Sequence, residues 1–96
     1  MKTKLTSAEA EILVGELIGK HVKIVNSSRQ EIIGIQGIII DETMKILTIK
    51  TTKKEIKVPK EHTVFDFNGT KIKGEMLNFR PHERIKKYWR KINGRM

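Results

Sequence analysis

The sequence predicts a mainly β fold: a small, twisted antiparallel barrel of about six strands, flanked by an N-terminal and a C-terminal helix. Apolar residues follow helical spacing before residue 20 and after residue 80, and they alternate with polar residues between those points. Tight-turn sequences separate the alternating segments. Gly34 and Gly37 interrupt an isoleucine-rich segment, where a strand has to curve strongly. Six short strands joined in this way close most readily into a barrel, which removes exposed sheet edges.

The length of the chain allows one domain. Its 96 residues are too few for two independent cores, so we predict a single domain over 1–96. Within it we expect a helix over about 7–16, the barrel over about 20–77 and a basic helix over about 82–93.

The N-terminal helix has a clear start signal. Thr6 is followed three residues later by Glu9, which is the spacing of a capping box. Gly15 weakens the end of the helix, and Gly19 terminates it. A helix this short is not stable alone, so its apolar face must pack on the body of the protein or on a partner.

Six segments between the helices have strand-like alternation or β-branched composition. The Asn68-Gly69 pair is the strongest short hairpin signal in the chain. The predicted strands are His21–Asn26, Gln30–Asp41, Ile46–Thr51, Glu55–Val58, His62–Phe67 and Thr70–Met76.

The C-terminal end concentrates the positive charge. The last seventeen residues, 80–96, contain seven Lys or Arg and one Glu, so they carry +6 of the net +9 of the chain. Pro81 suits the first turn of a helix, and Ile85, Tyr88, Trp89 and Ile92 then share one arc. We expect at least one of the two aromatic rings to anchor the helix in the core. A cationic surface of this kind suits a polyanion, RNA above all.

Several classes of function are excluded or disfavoured by residue usage. The chain has no cysteine, which excludes disulfides and thiolate metal sites. His21, His62 and His82 are scattered without the spacing of metal ligands. No apolar run approaches the roughly 20 residues of a membrane span. Neither a phosphate-binding loop nor a nucleophile motif is present, so we predict no catalytic or metal-binding residue.

A resemblance to a known family rests on short motifs in a fixed order. They are Glu16-Leu17-Ile18-Gly19, Val22-Lys23-Ile24, Gly34-Ile35-Gln36-Gly37, Asp41-Glu42-Thr43, Val58-Pro59-Lys60, Phe65, Phe67 and Arg80-Pro81-x-x-Arg84. From about Glu16 to Lys91, the chain resembles the archaeal ribonuclease P protein component 1 family. This is the Sm-like subunit related to the eukaryotic 29-kDa protein called Pop4.

The resemblance implies an Sm-type barrel and a place in the ribonucleoprotein that removes the 5′ leader from precursor tRNA. The RNA subunit of that enzyme is the catalyst, so the isolated chain is expected to be inactive. We also expect it to be monomeric and cytoplasmic. We expect no cofactor on the chain itself, since the Mg²⁺ belongs to the RNA. A zinc-ribbon protein subunit is the expected protein partner. The predicted contact face for this partner consists of Ile12, Leu13 and Leu17. The alternative is that these three side chains pack on the barrel.

The predicted RNA-binding residues combine the basic end with cations of the barrel. Arg80 and Arg84 stand out because the charge argument and the family motif meet there. The full set is Arg80, Arg84, Lys86, Lys87, Arg90, Lys91, Lys20, Lys23 and Lys60.

Three other functions stay open from sequence alone. The chain could be another RNA-binding barrel protein, ribosomal or ring-forming. It could be a protein-docking module with a basic tail, or a free-standing nuclease. Ring formation, RNA affinity and activity of the isolated chain distinguish these alternatives.

Overall fold

A curved sheet of six antiparallel strands forms the body of the protein, in the order β4-β3-β2-β1-β5-β6. The structure is a computed structural model that describes residues 5–93. A helix precedes the sheet, another follows it, and short 3-10 turns lie at Gln30–Ile32 and Gly74–Leu77. The elements are α1 (Ser7–Leu13), β1 (His21–Ser27), β2 (Gln36–Glu42), β3 (Ile46–Lys50), β4 (Glu55–Pro59), β5 (Thr63–Phe67), β6 (Thr70–Lys73) and α2 (Pro81–Ile92). The predicted fold class is confirmed.

The start of α1 has the predicted capping box. The Thr6 hydroxyl accepts a hydrogen bond from the Glu9 backbone N–H at 3.1 Å, and the Glu9 carboxylate accepts one from the Thr6 N–H at 3.0 Å. The helix ends at Leu13, three residues earlier than predicted. Its free carbonyls are satisfied by a side chain from the other end of the chain instead of by a further helical turn.

The predicted long strand from residue 30 to 41 is wrong in its first half. Gln30–Ile32 is a 3-10 turn, and β2 starts only at Gln36. Gly34 supplies the reversal between them with φ +97°, a conformation that suits glycine. Its N–H donates to the Ile24 carbonyl of β1 at 2.8 Å. The bend therefore comes from a complete turn placed before the strand.

Asn68 and Gly69 form the predicted hairpin between β5 and β6. Their φ angles of 51° and 99° are both positive, as a two-residue turn of the favoured twist requires. The Asp66 carboxylate accepts a hydrogen bond from the Gly69 N–H at 2.8 Å and holds the turn.

The sheet curls so that the residues that follow its two edge strands come together. Register shifts in β1, between Ile24 and Asn26, and in β2, between Ile39 and Asp41, mark bulges that increase the twist. Within residues 5–93, β4 and β6 do not pair with each other. Instead, the backbone segments that follow these two strands are in contact. A Cβ on Gly74, directly after β6, would collide with the carbonyl oxygen of Lys60, directly after β4. The inside of this curved sheet is the core.

Both helical segments contribute to that core. Leu13 and Leu17 enter it from the N-terminal side, and Leu77 and Tyr88 enter it from the C-terminal side. They pack with strand residues such as Phe65, which is fully buried. The two flanking helical segments are thereby fixed to the barrel by apolar burial, worth about 1.5–3 kcal/mol for each large side chain.

Candidate nucleic-acid interface

Three charged side chains are buried together at the end of the barrel where the sheet closes. Glu42, at the end of β2, faces Lys60 after β4 and Arg84 in α2. Its carboxylate lies 2.9 Å from Lys60 Nζ and 3.1 Å from Arg84 Nη2. Lys60 and Arg84 have no exposed surface. We call these three residues the buried charge cluster.

Backbone carbonyls satisfy the remaining donors of Lys60. Its ammonium group donates to the carbonyl oxygens of Thr43 and Leu77, each at 2.7 Å, and to that of Phe79 at 3.2 Å. Together with the Glu42 carboxylate, four oxygen acceptors therefore surround the three hydrogens of the Lys60 ammonium group. This one side chain ties the β2–β3 turn to the segment that leads into α2.

Arg84 ties α2 to the end of α1. Its Nη1 donates to the carbonyl oxygens of Leu13 at 2.6 Å and Gly15 at 3.0 Å. Leu13 is the last residue of α1, whose carbonyl the helix leaves free, and Gly15 lies two residues after it. Among the described residues, no buried side-chain nitrogen or oxygen lacks a hydrogen-bond partner. A satisfied network of this kind fixes the arrangement of the elements that it joins.

Burial has a measurable consequence for Lys60. Loss of water around the ammonium group lowers the pKa of Lys60 below its ordinary value, although the hydrogen bond and the charge of Glu42 act in the opposite direction. The nearby positive charge of Arg84 lowers this pKa further.

The prediction that Arg84 and Lys60 contact RNA does not fit the structure. All surfaces of both side chains are covered by protein, and their donors are used inside the chain. The helical phase contained a signal for Arg84, because it lies four residues before Tyr88 and so shares its face. The buried residues of α2 are Arg84 and Tyr88, whereas Trp89 is 52% exposed.

The other predicted cations of α2 lie on the surface. Lys87 is held by aromatic rings, with its Nζ 5.4 Å from the centroid of Phe79 and 5.8 Å from that of Tyr88. The two rings pack edge to face at 6.3 Å. The exposed cations of this segment are Arg80, Lys86, Lys87, Arg90 and Lys91. Because α2 is fixed by Arg84 and Tyr88, these charges form a defined surface, which we call the cationic face.

Two predicted RNA contacts lie on the barrel, away from α2. Lys23 is exposed on β1, where it pairs with Gln36 of β2 and Asp66 of β5. Lys20 is half-buried just before β1. Arg95 lies outside the described residues.

The predicted partner face is also part of the core. Leu13 and Leu17 are fully buried and Ile12 nearly so, so the alternative of packing on the barrel is correct. An apolar surface that stays open beside α1 is a groove between the two helices, to which Val14, Trp89 and Ile92 contribute. Sequence reasoning missed this groove because it assigned one apolar arc to each helix and could not place the arcs relative to each other.

Metal ligands do not converge in the part of the chain that the structure describes. No group of three or more His, Asp or Glu side chains within 5–93 could hold a metal ion. His62 lies near Glu61 and Glu75, at 3.3 and 3.7 Å, on the surface. Over the same residues, neither helix has the length and apolar character needed to cross a membrane.

One known protein family matches most of the chain. The family described as "Ribonuclease P/MRP, subunit p29" matches residues 10–87. The chain belongs to this family. The match includes the whole barrel and the buried charge cluster, and it ends within α2, before Arg90 and Lys91.

Individual relatives show a similar relationship. The chain is 43% identical over 82 residues to ribonuclease P protein component 1 of Methanosphaera stadtmanae, covering 80% of this chain and 88% of that protein. It is 49% identical over 81 residues to the Pyrococcus furiosus protein of the same name, covering 79% of this chain. The alignment spans only 64% of that longer relative.

A solved structure has a similar fold. That structure is described as Mth11, a homologue of the human RNase P protein Rpp29. It is 42% identical in sequence, with a TM-score of 0.54, and the match covers 74% of this chain and 99% of that chain.

Proposed function

We propose that this chain is an RNA-binding protein subunit of ribonuclease P that assists the catalytic RNA in removing the 5′ leader from precursor tRNA. The observation that carries the proposal is the cationic face, a set of exposed Lys and Arg on a helix that the buried charge cluster fixes to the barrel. Membership of the p29 family supports it.

The mechanism is electrostatic. Exposed cations neutralise phosphates and release the counterions condensed on the RNA, which favours binding and makes it depend on salt. Compact RNA brings phosphates close together, so a cationic surface stabilises its folded form most. Lys86, Lys87 and Arg90 are the central residues of this surface, and Lys20 and Lys23 add two separate cations on the barrel.

The buried charge cluster supports this surface without contacting the RNA. Arg84 holds the first half of α2 against the end of α1, and Lys60 holds the segment before α2. Three charged groups with a net charge of +1 are costly to bury. Their value to the protein is that they fix the direction in which α2 leaves the barrel.

Catalysis is assigned to the RNA, and Mg²⁺ is bound by the RNA. The chain serves as a non-catalytic subunit in the cytoplasm and binds precursor tRNA only indirectly. The Sm-like description of the barrel and its kinship with Pop4 belong to the same proposal.

The groove between α1 and α2 is our candidate for the contact with the zinc-ribbon protein subunit. Trp89 and Ile92 are 52% and 42% exposed, and large apolar side chains grouped at the surface mark interaction sites. This groove replaces the buried residues Ile12, Leu13 and Leu17 as the proposed partner face. The same groove favours a second candidate function, a protein-docking module with an incidental cationic helix.

Reconstitution tests the proposal. Ribonuclease P RNA is combined with candidate protein subunits and this chain at moderate Mg²⁺, and cleavage of precursor tRNA is measured. The full chain should raise the rate, and the triple variant Lys86→Gln, Lys87→Gln, Arg90→Gln should raise it far less.

The matched control removes three exposed lysines elsewhere on the barrel, with the changes Lys45→Gln, Lys57→Gln and Lys71→Gln. If both triple variants behave alike, net charge explains the effect and the cationic face does not. If the chain has no effect on cleavage but retains a protein partner, the docking function is correct.

A further inference from the structure

An open groove crosses the outer face of β1, β2 and β3, and no residue of α2 lines it. Its volume is about 560 Å³, which lies within the range of ligand sites. Its floor includes Gly37 of β2, where a Cβ would collide with the carbonyl oxygen of Lys50 in β3. Glycine thus lets the two strands approach closely at the groove.

An exposed apolar side chain lies at the centre of the groove. Ile38 of β2 is 42% exposed, and it pairs directly with His21 of β1 on one side and with Lys50 of β3 on the other. Directly paired residues of neighbouring strands have Cβ atoms about 5 Å apart. The row therefore presents an imidazole ring, an apolar surface and an ammonium group side by side.

Hydrogen-bonding groups surround this row. Gln36 lies two residues before Ile38 on the same face of β2, and its amide can both donate and accept. Thr52 lines the groove from the β3–β4 turn, which also carries the exposed Lys53 and Lys54. The Thr51 hydroxyl fixes that turn by accepting hydrogen bonds from the N–H groups of residues 53 and 54, each at 3.1 Å.

The charge of the groove selects the class of ligand. None of its lining residues carries a carboxylate, while Lys50 and the two lysines of the adjacent turn are cations. Glu55, which pairs with Lys50 from β4, lies outside the lining. An anionic ligand with a flat apolar part fits this combination: the flat part packs on Ile38 and His21, and the anion contacts Lys50.

We propose that this groove binds one unpaired nucleotide of RNA, with the base packed on Ile38 and His21 and the phosphate near Lys50. The inference rests on the proposed RNA-binding function and adds a second contact, separate from the cationic face. A base inside a duplex has both faces covered by the base pairs above and below it. Only an unpaired base can therefore present a free face to the protein. The Gln36 amide is placed to hydrogen-bond with the edge of that base.

The test compares two RNA probes on the full-length chain. One is a labelled single-stranded ten-nucleotide RNA, and the other is a blunt ten-base-pair duplex. The groove variant is Ile38→Ser, Lys50→Thr. The matched control, Ile33→Ser, Lys71→Thr, makes the same side-chain changes at an isoleucine that is 41% exposed and at an exposed lysine, both away from the groove.

We expect the groove variant to bind the single strand about tenfold more weakly than the control does, because it loses both a packing surface for a base and a phosphate contact. Its affinity for the duplex should match that of the control. Thermal unfolding midpoints of the two variants should agree, since both residues of each pair are exposed or lie at strand ends.

Three results would overturn the groove proposal. The first is equal affinity of the two variants for the single strand, and the second is an equal loss for single strand and duplex. The third is a ten-residue glutamate peptide that binds the wild type as tightly as the single strand does and binds the groove variant more weakly, which would assign the groove to an acidic protein segment.

The triple variant of the cationic face, measured in parallel, separates this proposal from the proposed function. If it weakens both probes while the groove variant weakens neither, the RNA-binding function stands and the groove proposal fails. If it weakens neither probe while the groove variant weakens the single strand, the groove stands and the cationic face is wrong.

Discussion

Glu42 and Arg84 form a buried ion pair with 3.1 Å between Oε1 and Nη2, although 42 residues separate them in the sequence. The pair joins the end of β2 to the first half of α2, and Lys60 completes it from the far edge of the sheet. This cluster converts a basic C-terminal segment into a helix with one defined orientation.

Glu42→Gln should destabilise the fold strongly. The substitution leaves two buried cations without a counter-charge, a change that costs about 3–5 kcal/mol of the free energy of unfolding. Urea denaturation of the full chain measures the loss. The control is Glu31→Gln, which removes an exposed carboxylate paired with Arg29 at 3.2 Å and should change the denaturation midpoint little. Similar midpoints for the two variants would contradict the assigned role of Glu42.

Arg84→Lys should be nearly as harmful as Arg84→Met. A lysine keeps the charge but cannot hold Glu42 and the two carbonyls at the end of α1 with one planar group. We expect a loss of at least about 2 kcal/mol for either variant. Full stability of the lysine variant would mean that charge alone matters at this position.

Gly74→Ala should be far more damaging than Gly19→Ala. A Cβ on Gly74 meets the backbone of Lys60, which cannot move without opening the sheet closure. Gly19 has φ +97° but open space around it, so its substitution costs only the backbone strain of about 1–2 kcal/mol. Thermal unfolding should show a clearly larger drop for Gly74→Ala, and the reverse order would show that contact at Gly74 does not close the barrel.

Stability should depend on Lys60 in the alkaline range. Burial lowers the pKa of Lys60 in the folded state below the unfolded value of 10.5. Between these two pKa values, Lys60 binds a proton more often in the unfolded chain than in the folded chain. The contribution of this group to stability therefore rises with pH in that window. Tyr88 acts in the opposite direction above pH 10, since burial raises its pKa.

Denaturation of the wild type and Lys60→Met at several pH values below 10.5 isolates the Lys60 effect, since Tyr88 is common to both. The free energy of unfolding should rise with pH more steeply, or fall less steeply, in the wild type than in the variant. Parallel curves would show that Lys60 titrates normally in the folded protein.

Local signals in the sequence were sufficient for much of the fold. The Thr6–Glu9 capping box and the Asn68-Gly69 turn depend on neighbours within four residues, and both formed as predicted. The 3-10 turn at 30–32 was missed because Ile32 and the following Ile33 continue the β pattern, although the chain turns at Gly34. Sequence alternation also carries no information on how the sheet closes at Gly74.

The site was harder to predict than the fold, because its key contacts join distant segments. Arg84 and Lys60 were expected at the surface, where most basic residues lie. Their burial depends on Glu42, on free carbonyls at the end of α1, and on the closing of the sheet. None of these contacts can be inferred from spacing, which indicates only that Arg84 shares the face of Tyr88. The exposed cations were easier to predict, since seven bases with one acid are typical of a polyanion-binding surface.

The salt dependence of binding to ribonuclease P RNA tests the central claim most directly. The claim is that exposed cations of α2 contact phosphates while Arg84 only positions them. The triple variant Lys86→Gln, Lys87→Gln, Arg90→Gln should reduce the slope of log K against log salt by about two to three units. Arg84→Met, measured where it is folded, should weaken binding but keep the slope of the wild type. An unchanged slope in the triple variant, or a slope reduced by Arg84→Met, would contradict the account.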